Sequence, residues 1–160
     1  MRRNNSSEAQ DAAERIAASA KARGLQIAVA ESLTSGRIAC RLGAASDAST
    51  WFAGGVVAYA AEVKFNVLGV EPGPVVTARC AAQMANGVAR LLGAEVAVAA
   101  TGVGGPEPDE GHPPGTVYLA VSSGGRVDVV QHRFDGDPGR VVDEATTTAL
   151  ELLYTSLKAD

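Results

Sequence analysis

The sequence predicts an α/β fold, a single three-layer α/β/α domain around a mixed β-sheet. The chain has 160 residues, of which 46% are hydrophobic, and this suits one compact domain with a sizeable core. Apolar runs of strand length alternate with segments of helical periodicity, which is typical of strands layered between helices. Two alternating runs near the C-terminus are joined by a Ser-Ser-Gly-Gly turn, and this hairpin makes the sheet mixed. We therefore expect one domain over 1–160, with about 1–7 as a disordered N-terminal tail.

Local signals predict the individual elements in chain order. Ser7 opens a capping box before a helix with regularly spaced apolar residues, and Gly24 ends that helix in the usual C′ position. Thr77 caps a longer helix that ends at Gly93. The predicted helices cover 7–23, 38–42, 60–67, 77–92 and a final segment from 141 onward. The predicted strands cover 25–30, 51–59, 95–100, 117–121 and 127–134.

Composition argues against several classes of function. A net charge of −4 is unfavourable for a nucleic-acid binder, which needs a basic face to displace counterions from phosphates. No run approaches the ~18 apolar residues of a membrane span, and no apolar stretch follows the charged start as in a signal peptide. Cys40 and Cys80 belong to no CxxC pair or disulfide framework. We therefore expect a cytoplasmic protein that binds neither nucleic acid nor a membrane.

Two glycine-rich turns follow the C-terminal ends of predicted strands, at 31–36 and 101–106. In open α/β sheets, ligands bind in the crevice outside these strand ends. The first turn precedes a helix, so its amides and the helix N-terminus favour an anion such as phosphate. Neither turn matches a nucleotide-binding fingerprint, because the second lacks the third glycine of GxGxxG and no GxxxxGK[ST] is present. Two ordinary tight turns remain the alternative.

Ser32 and Lys64 are the candidate nucleophile and base. Both follow strands that we predict to be neighbours in the sheet, so we expect their side chains to lie within hydrogen-bond reach of each other or one water apart. Ser32 stands where the first strand ends, in the turn most able to present a side chain to the crevice. Lys64 lies on a short helix among apolar neighbours, where burial would lower its proton affinity and let it act as a base toward a serine. A solvated helix lysine is the alternative. The chain has two histidines, His112 in a polar loop and His132 in the hairpin. Because neither position is typical of a catalytic histidine, a Ser-His-Asp triad is possible but less favoured than the serine and lysine.

Acidic residues crowd the segment after the second glycine-rich turn. Glu107, Asp109, Glu110 and His112 are close in sequence, but neither HExxH nor a Cys/His ligand spacing is present. We interpret the segment as a solvated acidic loop, and we expect no metal and no cofactor.

Four short blocks carry a family resemblance. They read AESLTSG at 30–36, GGVVAYAAEVK at 54–64, ATGVGGP at 100–106 and HPPGTVY at 112–118. They resemble, in order and spacing, the AESCTGG, GGxVSYxNEAK, ATGIAGP and KPVGTVY blocks of the CinA C-terminal domain family, whose enzymatic members are nicotinamide-nucleotide amidohydrolases (PncC). The resemblance extends from about residue 8 to the C-terminus and looks like the stand-alone form of the family.

The resemblance implies hydrolysis of nicotinamide mononucleotide to nicotinate mononucleotide and ammonia. It makes Ser32 the nucleophile and Lys64 the base, with Tyr59 orienting the lysine or the substrate. The implied substrate-binding residues are Thr34, Ser35, Gly36, Thr101, Gly102, Gly104, Gly105 and Arg140. The implied partners are a small-molecule nucleotide substrate and a second copy in a homodimer. The alternative is a non-catalytic nucleotide-binding or regulatory module of the CinA type.

Several residues depart from the family pattern. Positions at which the family has Cys, Gly, Asn and a second Arg are occupied here by Leu33, Ser35, Ala61 and Val142. The first family arginine aligns with Pro138, and Arg140 lies two positions later. A guanidinium there could still reach a phosphate in the crevice, because the preceding loop contains glycines with free backbone angles. A solvated arginine in the first turn of the final helix is the alternative.

Overall fold

A computed structural model describes residues 4–159 and confirms the α/β prediction, with a five-stranded mixed sheet between two layers of helices. The strands are β1 (Ile27–Glu31), β2 (Phe52–Val57), β3 (Val96–Gly102), β4 (Thr116–Ser123) and β5 (Arg126–Arg133). The helices are α1 (Asn5–Arg23), α2 (Arg37–Gly43), α3 (Ala48–Trp51), α4 (Ala61–Leu68), α5 (Ala78–Leu92) and α6 (Pro138–Lys158). The strand order is β2-β1-β3-β4-β5. β2, β1 and β3 are parallel to one another, β4 pairs antiparallel with β3, and β5 pairs antiparallel with β4.

The two faces of the sheet carry side chains of different size. Toward α1, α2 and α6 the strands present branched residues such as Val29, Val98 and Leu119. Toward α5 the strands present mainly alanine, at Ala28, Ala30, Ala97, Ala99 and Ala120. The difference follows from strand alternation, which sends successive side chains to opposite faces. Alanine leaves room for α5 to approach the central strands.

Helix α4 is held against α5 at a glycine. A Cβ built on Gly87 would lie 2.0 Å from the carbonyl oxygen of Leu68, so the last turn of α4 touches the backbone of α5 directly. Gly69 then ends α4 in the left-handed conformation, with φ of 71°. This contact holds the C-terminal end of α4 directly against α5.

The N-terminal helix begins earlier than the capping box at Ser7 indicated. The side chain of Asn4 accepts a hydrogen bond from the Ser6 amide and is the N-cap. Residues 5–7 therefore belong to α1 rather than to the expected tail, and residues 1–3 of that tail lie outside the described residues. Asparagine is as good an N-cap as serine, so the helix can begin at the earlier of these two residues.

Two further boundaries differ from the sequence prediction. Trp51, expected in the second strand, ends the four-residue helix α3, where its indole donates to the Ser46 carbonyl at 3.0 Å. A single helical turn is too short to show a hydrophobic period. Helix α6 begins at Pro138, with the Asp137 side chain as its N-cap. Among residues 4–159, no helix combines the length and hydropathy of a membrane span.

The contact at Gly87 can be tested by adding a single methyl group. Alanine is a better helix former than glycine by about 1 kcal/mol, but the added carbon would overlap the Leu68 carbonyl. We predict that Gly87→Ala lowers the free energy of unfolding in urea by about 2 kcal/mol, within the range for overpacking. Gly104→Ala is the control, because its Cβ meets no atom within 4 Å. Equal unfolding midpoints for the two variants would contradict the contact.

Candidate active site

The loop that carries Ser32 is anchored by the residue before it. Glu31 ends β1, and its buried carboxylate accepts hydrogen bonds from the amides of Ile38 and Ala39, both at 3.0 Å. These amides open α2, whose N-cap residue makes no side-chain cap. A carboxylate at a helix N-terminus is favourable because it satisfies free amides and opposes the helix dipole. Glu31 thus ties both ends of the loop together and holds Ser32 in place.

Lys64 lies on α4, which follows β2, and its side chain reaches Ser32 at the end of the neighbouring strand β1. Its Nζ lies 2.9 Å from Ser32 Oγ, 2.8 Å from the Ala58 carbonyl oxygen and 3.0 Å from the Tyr59 carbonyl oxygen. The Ala58 amide donates to the Glu31 carbonyl at 2.7 Å, which extends the β1–β2 pairing beyond the strand ends. The two side chains predicted to approach each other therefore do so, because parallel strands end side by side.

Burial lowers the pKa of Lys64, whose side chain is only 1% exposed, because desolvation disfavours the ammonium form. The Cys80 thiolate and the Glu110 carboxylate oppose this change, since nearby negative charge favours the protonated lysine. Burial also raises the pKa of Cys80, so its thiolate is scarce near neutral pH. Glu110 is then the negative charge that acts on Lys64, and desolvation outweighs it. Burial therefore favours the neutral, proton-accepting form of the amine.

A cavity of about 320 Å³ opens beside Ser32 and Lys64. The sequence-predicted residues that line it are Ser32, Tyr59, Lys64, Thr101, Gly102, Gly104 and Gly105. The Thr101 hydroxyl donates to the Val75 carbonyl at 2.9 Å, so it is engaged within the protein. The amides of Gly104 and Gly105 donate to no acceptor in the described part of the chain. Both residues line the cavity, so their amides are candidate donors to a bound substrate.

Three residues of the first glycine-rich turn do not line the cavity. Thr34 is fully buried, and its Oγ1 has no hydrogen-bond partner among the described residues. The Ser35 hydroxyl donates back into its own loop, to the carbonyls of Ser32 at 3.5 Å and Leu33 at 3.4 Å. Gly36 is the N-cap of α2, with φ of 95°. This turn therefore shapes the loop around the serine, and none of these three residues faces the cavity.

Arg140 also lies outside the cavity lining. Its side chain packs across Gly136, where an added Cβ would lie 2.6 Å from Arg140 Cδ. The positions that face the cavity from α6 are Pro138 and Val142. At this side of the cavity the described chain presents apolar groups where the resemblance implied a guanidinium.

The acidic residues of the loop are exposed, as the sequence predicted, but the loop also takes part in the site, which the sequence did not indicate. Glu107 and Asp109 line the cavity. The Glu110 carboxylate accepts from the Val75 amide at 3.0 and 2.9 Å and from the Val76 amide at 2.8 Å, which joins the loop to the turn before α5. No local pattern marks such a contact, because its partners are more than 30 residues away in the chain.

The family model for the CinA C-terminal domain matches residues 9–157. The chain belongs to the CinA C-terminal domain family. A CinA-like protein of Frankia casuarinae is 41% identical over 140 residues, which cover 84% of this chain and 32% of that protein. This chain thus spans about a third of the length of the curated relatives it matches.

Solved structures of CinA superfamily proteins are similar over nearly their whole length. One from Klebsiella pneumoniae has 34% sequence identity and a TM-score of 0.91, with 95% of this chain and 99% of that chain covered. One from Escherichia coli has 30% identity and a TM-score of 0.90, with 97% and 94% covered. The three-layer architecture is therefore that of the CinA C-terminal domain.

The role of Glu31 in this CinA domain can be tested by an isosteric change. Glutamine offers one acceptor oxygen, and its amino group would face a second backbone amide. We predict that Glu31→Gln lowers the free energy of unfolding by about 1.5–3 kcal/mol, as for the loss of a charged hydrogen bond. Urea unfolding measures this, with Glu151→Gln on the exposed face of α6 as the matched control. Similar stabilities for the two variants would contradict the anchoring role.

Proposed function

We propose that this CinA domain is an amidohydrolase that cleaves a carboxamide C–N bond, with Ser32 as nucleophile and Lys64 as base. The proposed substrate is nicotinamide mononucleotide, whose deamidation would give nicotinate mononucleotide and ammonia. The observation that carries the proposal is the 2.9 Å contact between Ser32 Oγ and the buried Lys64 Nζ. A serine is a weak nucleophile unless an adjacent base removes its proton, and this contact supplies such a base.

The backbone around Lys64 orients its amine. A neutral amine has two N–H groups and one lone pair. The carbonyls of Ala58 and Tyr59 lie at hydrogen-bond distance and accept the two N–H groups. The remaining neighbour is Ser32 Oγ, so the lone pair is directed at the serine hydroxyl. Tyr59 thus acts on the lysine through its carbonyl, while its side chain is 68% exposed at the cavity.

In the first half-reaction Ser32 Oγ attacks the carboxamide carbon while Lys64 takes the hydroxyl proton. The carbonyl π bond opens, and its electron pair moves to the oxygen. When the tetrahedral intermediate collapses, the C–N bond breaks, and Lys64 gives its proton to the departing nitrogen. The products of this step are ammonia and an ester on Ser32.

In the second half-reaction water replaces the amide nitrogen. Lys64 takes a proton from a water molecule as the water oxygen attacks the ester carbon. It returns that proton to Ser32 Oγ when the bond between the ester carbon and Oγ breaks. Negative charge develops on the substrate oxygen in both steps. The amides of Gly104 and Gly105 are free donors on the same cavity and are our candidates to stabilise it.

A module that only binds its ligand does not need a base beside the serine. Removing an amine from water is costly, and the three oxygen neighbours of Lys64 Nζ offset that cost while holding the amine against Ser32 Oγ. Lys64 is among the largest fully buried side chains of the described residues, which are otherwise almost all apolar. The presence of a desolvated base against a serine favours catalysis over simple binding.

Two substitutions test the catalytic pair. We predict that Ser32→Ala and Lys64→Met each reduce ammonia release from nicotinamide mononucleotide and nicotinamide riboside by at least ~10³-fold, as for other nucleophile and base deletions. Ser49→Ala and Lys158→Met, at exposed positions, are the matched controls and should retain full activity. Wild-type turnover in either catalytic variant would rule out the mechanism.

The pH dependence provides a second test. Lys64 must be neutral to act, so kcat/KM should rise with pH through a pKa below the ordinary value of 10.5. Glu110 favours the protonated lysine, so Glu110→Gln should lower this pKa and move the rising limb to lower pH. Measured pH–rate profiles check the shift, with Glu151→Gln as control. A limb that stays in place or moves to higher pH would contradict the assignment.

A further inference from the structure

We propose that a second cavity, between the start of α1 and the facing parts of α2 and α6, binds a small phosphorylated compound, of which inorganic phosphate is the simplest member. The cavity has a volume of about 330 Å³, which is within the range of small-molecule sites. Among the described residues, none lines both this cavity and the one beside Ser32 and Lys64. Binding in the second cavity is therefore independent of the proposed function.

Two arginines give the second cavity its positive charge. Arg37 and Arg41 both line it and lie four residues apart on α2, so they project from the same face of the helix. Arg41 is half-buried, and its Nη2 donates to Ser6 Oγ at 2.7 Å, which holds the guanidinium at the cavity wall. Guanidinium groups bind phosphate through paired, charge-assisted hydrogen bonds. This pair is the feature that points to an anion.

Within residues 4–159, no carboxylate neutralises the two arginines. No Asp or Glu oxygen lies within the 4.0 Å of an ion pair from either guanidinium. Like charges four residues apart on a helix repel each other, so the pair by itself is unfavourable for α2. A phosphate between the two guanidiniums would replace this repulsion with attraction to both of them. The arrangement is therefore suited to a ligand that carries negative charge.

The start of α1 adds uncharged donors to the same wall. Asn5 and Ser6 line the second cavity in the first turn of this 19-residue helix, where the positive end of the helix dipole lies. Asn5 Oδ1 accepts a hydrogen bond from Thr147 Oγ1 of α6, which fixes the side-chain amide. Its Nδ2 donates to no acceptor in the described part of the chain, so it is available to a ligand oxygen.

Asp143 restricts the kind of anion that fits. Its carboxylate lines the second cavity from α6 and has no hydrogen-bond or ion-pair partner among the described residues. This carboxylate repels a second negative group on the ligand, but it accepts a hydrogen bond from a hydroxyl group. The cavity therefore favours a single phosphate on a polar body over a polyphosphate or a nucleic acid.

Cys40 provides a reporter for this proposal. It is exposed and lines the second cavity, whereas Cys80, the other cysteine of the chain, is buried. We expect inorganic phosphate to slow alkylation of Cys40 by the neutral reagent iodoacetamide, saturably and by about threefold or more, relative to sodium chloride at equal pH and ionic strength. Mass spectrometry measures the rate. A rate that is unchanged up to about 100 mM phosphate, far above the range of a millimolar site, would overturn the proposal.

Charge variants should change this protection in opposite directions. Arg37→Gln/Arg41→Gln should abolish it, and Asp143→Asn should lower the phosphate concentration of half-protection several-fold, because one change removes attraction and the other removes repulsion. Arg126→Gln/Arg133→Gln on β5, outside the lining, is the matched control and should retain wild-type protection. Protection that persists without the two cavity arginines, or weaker protection in Asp143→Asn, would place the anion elsewhere and contradict the proposal.

The charge of the alkylating reagent gives a second measurement in the absence of phosphate. Iodoacetate carries a carboxylate that iodoacetamide lacks, and both reagents meet the same Cys40 thiol. The ratio of the iodoacetate rate to the iodoacetamide rate should therefore fall several-fold in Arg37→Gln/Arg41→Gln and stay unchanged in the β5 control. Equal ratios in all three proteins would show two solvated arginines only, and would overturn the anion site.

Discussion

The amine of Lys64 is buried, and its oxygen neighbours are Ser32 Oγ and two backbone carbonyls. Several parts of the fold meet at this point. The parallel pairing of β1 with β2 brings the two strand ends together. Glu31 closes the loop on one side, and the Gly87 contact sets α4 on the other. An amine in that position is useful only if it is neutral, and burial favours the neutral form.

A buried amine is a stability burden that the rest of the domain must offset. Two separate apolar clusters cover the two faces of the sheet, and both are built around the central strands β1 and β3. The alanine-rich face accommodates α5, which in turn positions α4 and its lysine. Burial of Lys64 thus lowers the stability of the domain while it serves the proposed activity, as is common where a site needs a desolvated ionisable group.

Sequence patterns predicted the parts of this structure that depend on local signals. The layers, the hairpin and helix ends such as Gly24 follow from periodicity and turn chemistry, and Lys64 could be paired with Ser32 because both follow neighbouring strands. The helix that ends at Trp51 is too short to leave a period. The contacts of Glu110 and the placement of Arg140 depend on loop conformations set by residues distant in sequence, which a single sequence does not reveal.

The role of Lys64 as the base is tested most directly by measuring its protonation state as a function of pH. The chain has three lysines, at positions 21, 64 and 158, so side-chain NMR of lysine-labelled protein is tractable, and Lys64→Met assigns the resonance. We predict that Lys64 titrates below the ordinary lysine value of 10.5 and is a neutral amine at the pH of activity. A Lys64 resonance that remains that of an ammonium up to the ordinary value would contradict the role of Lys64 as the base.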